Sequence, residues 1–549
     1  MSPGRFSRTE SLTEATAGNH RVLQRGQRFV LEGRVWQAWL LALVVLASGV
    51  GIGFRDVAPG HPFTYDEADY MYAGAQGFWD NFLDRPSISF REFVSKGLEL
   101  SRRPDLRGGF SRYIRASGDI TFYRHFHGPL YSEWLVLCHA LGVDEESAFR
   151  ASGLWIHLAT TILIFFGFRL VFSSLPSAGA FVAAAAFLMN RTALVTSLAI
   201  TQHVLFIFLA TLTLLCAARF CRDLNLNYWY AAVASLALAF STVEISALLA
   251  AALLITLLAL RKRLRERCTW LGLAWRSAGV FLLALLAVWP MGLLKLGMLK
   301  GYLYLAYMTL YRKTFVEGGP LELWAAKFRT APLEFLLAAC ALLACLAWWR
   351  KLAHRRELTP VAAYIVIFLA TTLVITIPFT HYHGSLMAAC AIVTGVMAGE
   401  VWRRSGAALR IVALAAVMAS LYGMAQAYYQ EARRERDRQP LSVGVLDYIA
   451  TRQEIPGKMW YVPFTLVPTL HYYHPGLETT GYDAGWASES LAAELGSAKT
   501  PVEALCEPAR CDELAQALER YGPVRRELAA SNPEGRMYSL TLGNRQAEP

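Results

Sequence analysis

Charge is scarce in this 549-residue chain. Only 17% of its residues are Asp, Glu, Lys or Arg, against 55% in the apolar set, whereas a soluble domain carries about a quarter charged residues. That deficit excludes an ordinary soluble enzyme and a disordered chain. No Walker A pattern or Rossmann glycine fingerprint is present, which argues against ATP-driven transport and a soluble dinucleotide cofactor. Nine cysteines are too few for a disulfide scaffold of this length. Seven of them (Cys138, Cys216, Cys221, Cys268, Cys340, Cys345 and Cys390) lie in or beside apolar segments and read as packing residues. Fixed-period repeats and low-complexity tracts are also missing. No small-residue cleavage site closes the first apolar run. The leader bearing Arg5, Arg8, Arg21, Arg25, Arg28 and Arg34, followed by apolar sequence from Trp36, therefore reads as a signal-anchor.

What the chain has instead is a succession of apolar stretches from Trp36 to Tyr429. A span needs about 20 such residues to cross a hydrocarbon core of ~30 Å. Candidates fall near 36–54, 151–173, 177–192, 202–219, 228–242, 244–260, 277–294, 331–349, 360–379, 384–401 and 410–429. The excess of 53 Lys and Arg over 42 Asp and Glu signals cytoplasmic loops, not nucleic acid. Basic clusters at 219–222, 261–267, 350–356 and 403–410 all face inward if the short segment Leu130–Gly142, which contains Glu133, stays on the outer surface. The expectation is an all-α polytopic membrane protein of about eleven transmembrane helices. Residues 1–35 form a basic cytoplasmic segment and 36–429 the membrane domain. A large first outer loop (55–150) carries interfacial helices, and a second outer loop lies near 295–330. Residues 430–549 form a small extracytoplasmic α/β domain, with helical patterns at Leu441–Ile449 and Cys511–Tyr521 and strand-like runs at Met459–Val462 and Met537–Leu542. If that tail lies outside the cytoplasm, Cys506 and Cys511 are expected to pair.

Chemistry concentrates just after the first span, in His61-Pro62-Phe63-Thr64-Tyr65-Asp66-Glu67-Ala68-Asp69-Tyr70. Three carboxylates in four residues at a membrane face are costly unless solvated or paired. A helix starting near Thr64 puts Asp66, Asp69 and Tyr70 on one face and turns Glu67 away. Thr64 with Glu67 is also a capping-box pattern, so a purely structural reading is available. Farther along, Tyr123-Arg124-His125-Phe126-His127-Gly128-Pro129-Leu130-Tyr131 leads into the short surface helix. It reads equally as an interfacial belt or as a phosphate- and sugar-holding stretch.

These motifs, in this order, resemble the polyprenol-dependent glycosyltransferases of the C superfamily, nearest the protein O-mannosyltransferase and aminoarabinose transferase branch. The resemblance rests on the Asp66-Glu67 pair after a single span and on His127-x-Pro129-Leu130-Tyr131 opening a short helix. Arg150 at the next span and Thr380-His381-Tyr382-His383 at an outer face match loosely. It implies a membrane enzyme that moves a sugar from a polyprenyl phosphate to a lipid, glycan or protein hydroxyl, with inversion, outside the cytoplasm of a plasma (inner) membrane. Asp66 would be the catalytic base and Glu67 its acidic neighbour. Asp69, Tyr70, Arg124, His125, His127, Lys300, Arg312, His381 and Tyr382 would bind donor and lipid phosphate, with Lys295 and Lys313 nearby. The resemblance fixes no cofactor. A divalent metal on Asp66 and Glu67 is the alternative, weakened because the next outer turn, Ser197–His203, lacks the carboxylate that relatives often carry. Glu244 reads as a solvated helix end, with replacement charge as its other reading. Tyr304, Tyr307 and Tyr311 read as interfacial anchors. The competing class is a non-enzymatic transporter or lipid-handling protein.

Overall fold

A computed structural model of the protein describes residues 35–83, 91, 95, 127–294, 302, 318–375, 380–452, 458–482, 488–498 and 500–542. The chain is mostly helical. Among the described residues, seven helical segments are long and apolar enough to cross a membrane: Val35–Arg55, Glu146–Val171, His203–Asp223, Trp270–Val288, Pro332–Lys351, Thr380–Arg404 and Ala407–Ala450. An eighth arises if Ser177–Leu188 and Arg191–Ser197, bent by 55°, count as one broken span.

The expected count of about eleven therefore becomes seven or eight, for identifiable reasons. Leu226–Phe240 is helical but has only 15 residues, about 22 Å of rise. Ser246–Leu264 ends in Arg261-Lys262-Arg263, and Arg355–Thr372 opens on Arg355-Arg356-Glu357. The apolar lengths left are short for a full crossing.

Burial separates the helices into a centre and a periphery. In Thr380–Arg404, 89% of the apolar window is buried against neighbours, but only 11% in Val35–Arg55 and in Trp270–Val288. Small residues permit the central packing: a Cβ added at Gly395 would stand 2.5 Å from the Cβ of Ala183 and 2.6 Å from the Gly179 carbonyl oxygen. Close backbone approach through small residues is a principal means of helix association in lipid. At the bend, the Asn190 side chain accepts from Ala193 N–H at 2.9 Å, and buried Glu334 accepts from Arg191 N–H at 2.9 Å. Both satisfy amides that a helix start leaves open.

The tail matches its sequence pattern. After the helix Leu441–Ala450 come strands β1 (Met459–Pro463), β2 (Glu478–Tyr482), β3 (Val502–Cys506), β4 (Val524–Asn532) and β5 (Gly535–Leu542). They form one sheet in the order β2-β1-β3-β5-β4. β1 pairs parallel with β2 and β3, and β5 pairs antiparallel with β3 and β4. Helix Val467–Tyr473 lies in the crossover from β1 to β2. Cys506 and Cys511 are joined in a disulfide, their Cα atoms 5.3 Å apart.

Candidate active site

The acidic corner follows the first span and opens the helix Asp66–Ala75. The capping box expected from Thr64 and Glu67 does not form. Tyr65 is the N-cap and makes no side-chain cap bond, while Thr64 contributes only its carbonyl oxygen, 3.0 Å from Glu67 N–H. Glu67 is engaged elsewhere. Arg150 donates to it through Nε (3.1 Å) and Nη2 (2.6 Å), and Ile200 N–H donates to the same carboxylate at 3.3 Å. Arg150 is 1% exposed and also donates through Nη1 to the carbonyls of Pro59 and His61, both at 2.8 Å. A buried charge persists only when it is paired and its donors are used, and this one is. Glu67 thus anchors the loop to the second long span.

Asp66, one residue earlier, belongs to a different neighbourhood. Tyr70, one turn on and buried, has its phenol held well above the ordinary range, first by burial and then by the Asp66 carboxylate, with Tyr382, Glu244 and Tyr131 adding. The Tyr70 and Tyr131 rings meet edge to face at 5.7 Å, and the His127 ring lies 6.3 Å from Tyr70. His127 Nδ1 stands 3.1 Å from Glu244 Oε2, and the Tyr382 hydroxyl donates to Glu244 Oε1 at 3.4 Å. His203, buried, packs against Tyr382 (4.3 Å between centroids) and His381 (4.5 Å). Glu244 is therefore no solvated helix end: it joins His127 to the Thr380–His383 turn. Gly128 makes that meeting possible, because a Cβ there would fall 2.0 Å from the Ser241 carbonyl oxygen.

A basic region adjoins the same turn from the other side. Helix Pro320–Thr330 buries Lys327, whose Nζ donates to Thr380 Oγ1 at 3.2 Å. Burial, and then Arg191, push the Lys327 ammonium down to about 8. Sequence reading missed this residue. The available signal was its position four residues after Leu323, on the face that the helix buries.

Of the residues singled out from sequence, Asp66, Tyr70, His127, His381 and Tyr382 come together around Glu244 and His203. Glu67 is turned to Arg150, and Asp69 is buried within its helix. Arg124, His125, Lys295, Lys300, Arg312 and Lys313 lie outside the described residues, as do Tyr304, Tyr307 and Tyr311. The alternative metal pair does not fit the arrangement, since Arg150 occupies both Glu67 oxygens. Among the described residues no three His, Cys, Asp or Glu side chains converge on a metal position.

The described residues form a helical scaffold with an acidic corner after its first long apolar helix and an α/β tail. Residues 127–291 match the family described as dolichyl-phosphate-mannose-protein mannosyltransferase. The fold is similar over most of the chain to ArnT from Cupriavidus metallidurans. The form bound to undecaprenyl phosphate is 15% identical, with a TM-score of 0.59 over 93% of this chain and 99% of that one. The apo form gives 14% identity and 0.59 over 92% and 98%. An oligosaccharyltransferase of Archaeoglobus fulgidus, 12% identical, aligns with a TM-score of 0.53 over 93% of this chain and 75% of its own. No curated protein matches. The chain thus carries the fold of these proteins, and residues 127–291 carry the family match.

Proposed function

We propose that the protein transfers a sugar from a polyprenyl phosphate sugar to an acceptor hydroxyl at the extracytoplasmic face, with inversion. The three short or charge-ended helices are read as completing eleven crossings, with the N-terminus inside and the acidic corner and tail outside. In the step itself, Asp66 takes the proton of the acceptor hydroxyl. The freed oxygen attacks the anomeric carbon, the carbon–oxygen bond to phosphate breaks, and the phosphate departs with the electron pair. Proton removal by a positioned carboxylate is worth roughly 10²–10⁴-fold, and cations at the departing phosphate stabilise the charge that develops there. Lys327 is the cation we assign among the described residues, with Arg124, His125, Lys300 and Arg312 as further candidates from sequence.

The observation that carries this reading is the division of labour between neighbouring carboxylates. Arg150 occupies Glu67, whereas Asp66 lies close enough to Tyr70 and Tyr382 to act on both phenols. We read Glu67 as a positioning residue. ArnT bound to undecaprenyl phosphate supports a polyprenyl carrier here. Purified protein incubated with a panel of polyprenyl phosphate sugars should release lipid phosphate from at least one of them in the presence of an acceptor. Movement of a substrate across vesicles without release from any donor would favour the transporter class.

A further inference from the structure

The backbone leading into Asp66 is held in a conformation that its own sequence does not favour. Tyr65 adopts φ 42° and ψ −111°, outside the left-handed well that non-glycine residues tolerate. Such conformations are costly and persist where surroundings over-determine them. Here the surroundings come from the far end of the chain. Tyr65 N–H donates to Thr469 Oγ1 at 3.2 Å across a separation of 404 residues. Phe63 N–H donates to the Tyr473 hydroxyl at 2.8 Å across 410 residues.

Thr469 and Tyr473 lie one turn apart on helix Val467–Tyr473, between strands of the tail sheet. Tyr473 also donates to Glu146 Oε1 at 2.9 Å. Burial and the Glu146 carboxylate raise its phenol, while the Phe63 amide opposes them, so the hydroxyl stays protonated and can donate to Glu146 while accepting from Phe63. Glu146 opens the span that carries Arg150 one turn later. Packing follows the same line: the Phe63 ring lies 5.5 Å from Tyr472 and 6.5 Å from Tyr473 on one side, and 6.1 Å from Phe149 on another. Arg150 grips the corner from the membrane side and the tail helix grips it from the outer side.

We propose that the C-terminal domain is a positioning element of the active site, with Thr469 and Tyr473 fixing the backbone at 63–65 so that Asp66 is aimed. This rests on the reading of Asp66 as base and gives the tail a catalytic consequence without substrate contact. The test uses the full-length purified enzyme. Thr469→Val removes the acceptor at constant shape, Tyr473→Phe removes both phenolic bonds, and Thr469→Ser restores the first. The combined Val and Phe variant should lose roughly 10–30-fold in kcat at unchanged donor KM, in line with the sensitivity of catalysis to small misplacements. Amide exchange over residues 61–70 should accelerate, and Thr469→Ser should stay within about twofold of the wild type.

Thr469→Val alone gives the same reading at smaller amplitude if the double variant folds poorly. Unchanged kcat with unchanged exchange overturns the proposal, and so does a rise in KM alone. Asp66→Asn, assayed beside them, separates the two claims. If it remains active, the assignment of the base fails, and exchange alone then judges the grip of the tail.

Discussion

The two sides of the Thr380–His383 turn are built by opposite means. On the acidic side, Asp66, Tyr70, His127 and Glu244 come from three separate stretches, and tyrosines and imidazoles stand between the carboxylates. On the basic side, one short helix brings Lys327 against Thr380 and near Arg191. The acidic side needs long-range fasteners because like charges must be kept apart yet aimed. Arg150, four bonds deep in Glu67 and two loop carbonyls, is the chief of these. The Lys327 ammonium, hydrogen-bonded to Thr380, needs only a helix that carries it to the right height. The difference suggests that damage will propagate on the acidic side and stay local on the basic one.

The deepest break should come from Arg150→Met. Removing one partner of a buried pair typically costs about 3–5 kcal/mol, which is a large share of a typical stability. Detergent-solubilised protein should show a much lower melting temperature and reduced membrane abundance. Exchanging Arg150 and Glu67 together for a well-packed Met and Leu should recover part of that loss. If the single variant were as stable as the wild type, the corner would not depend on this pair.

Lys327→Met should leave the fold intact and raise the donor KM roughly 10-fold or more, the order expected for a lost charge-assisted contact. The pH dependence sharpens this. The ammonium is charged below about 8 and neutral above it, through burial and the nearby Arg191. Donor KM in the wild type should therefore climb as pH rises past that value, while Lys327→Arg, charged throughout, should flatten the climb. A parallel rise in both enzymes would remove Lys327 from the phosphate.

Glu133 offers the smallest effect. Burial in the surface helix raises its carboxyl to about 7. Between the ordinary carboxylate range and that value the folded protein binds more protons than the unfolded one, so stability falls as pH rises through this window. Glu133→Gln should accordingly melt higher than the wild type at about pH 8 and no higher at about pH 5. Equal melting at both would show the carboxylate to be solvated.

Much of this architecture was legible in the sequence. Apolar runs located the long spans, and the helical and strand-like runs of the tail recur as Leu441–Ala450, Pro508–Leu518, β1 and β5. The acidic corner and the helix after His127 were visible as motifs. Partnerships were not. Glu67 meets Arg150 across 83 residues and His127 meets Glu244 across 117. Periodicity reports which face of a helix is apolar but not which distant polar group it meets. The same limit explains Glu244, whose exposed-looking helix end becomes a junction once Gly128 admits the Ser241 backbone. Lys327 escaped for the opposite reason: a single lysine on a short amphipathic helix reads as a snorkelling side chain. The span count differed where apolar stretches ran into charged helix ends.

The most direct measurement is lipid phosphate release by purified Asp66→Asn at saturating donor, with melting temperature recorded on the same sample. A drop in kcat of roughly 10²-fold or more with unaltered melting and donor affinity is the predicted result. Turnover near the wild-type rate would contradict the account, because Glu67, the other carboxylate of the pair, is held by Arg150.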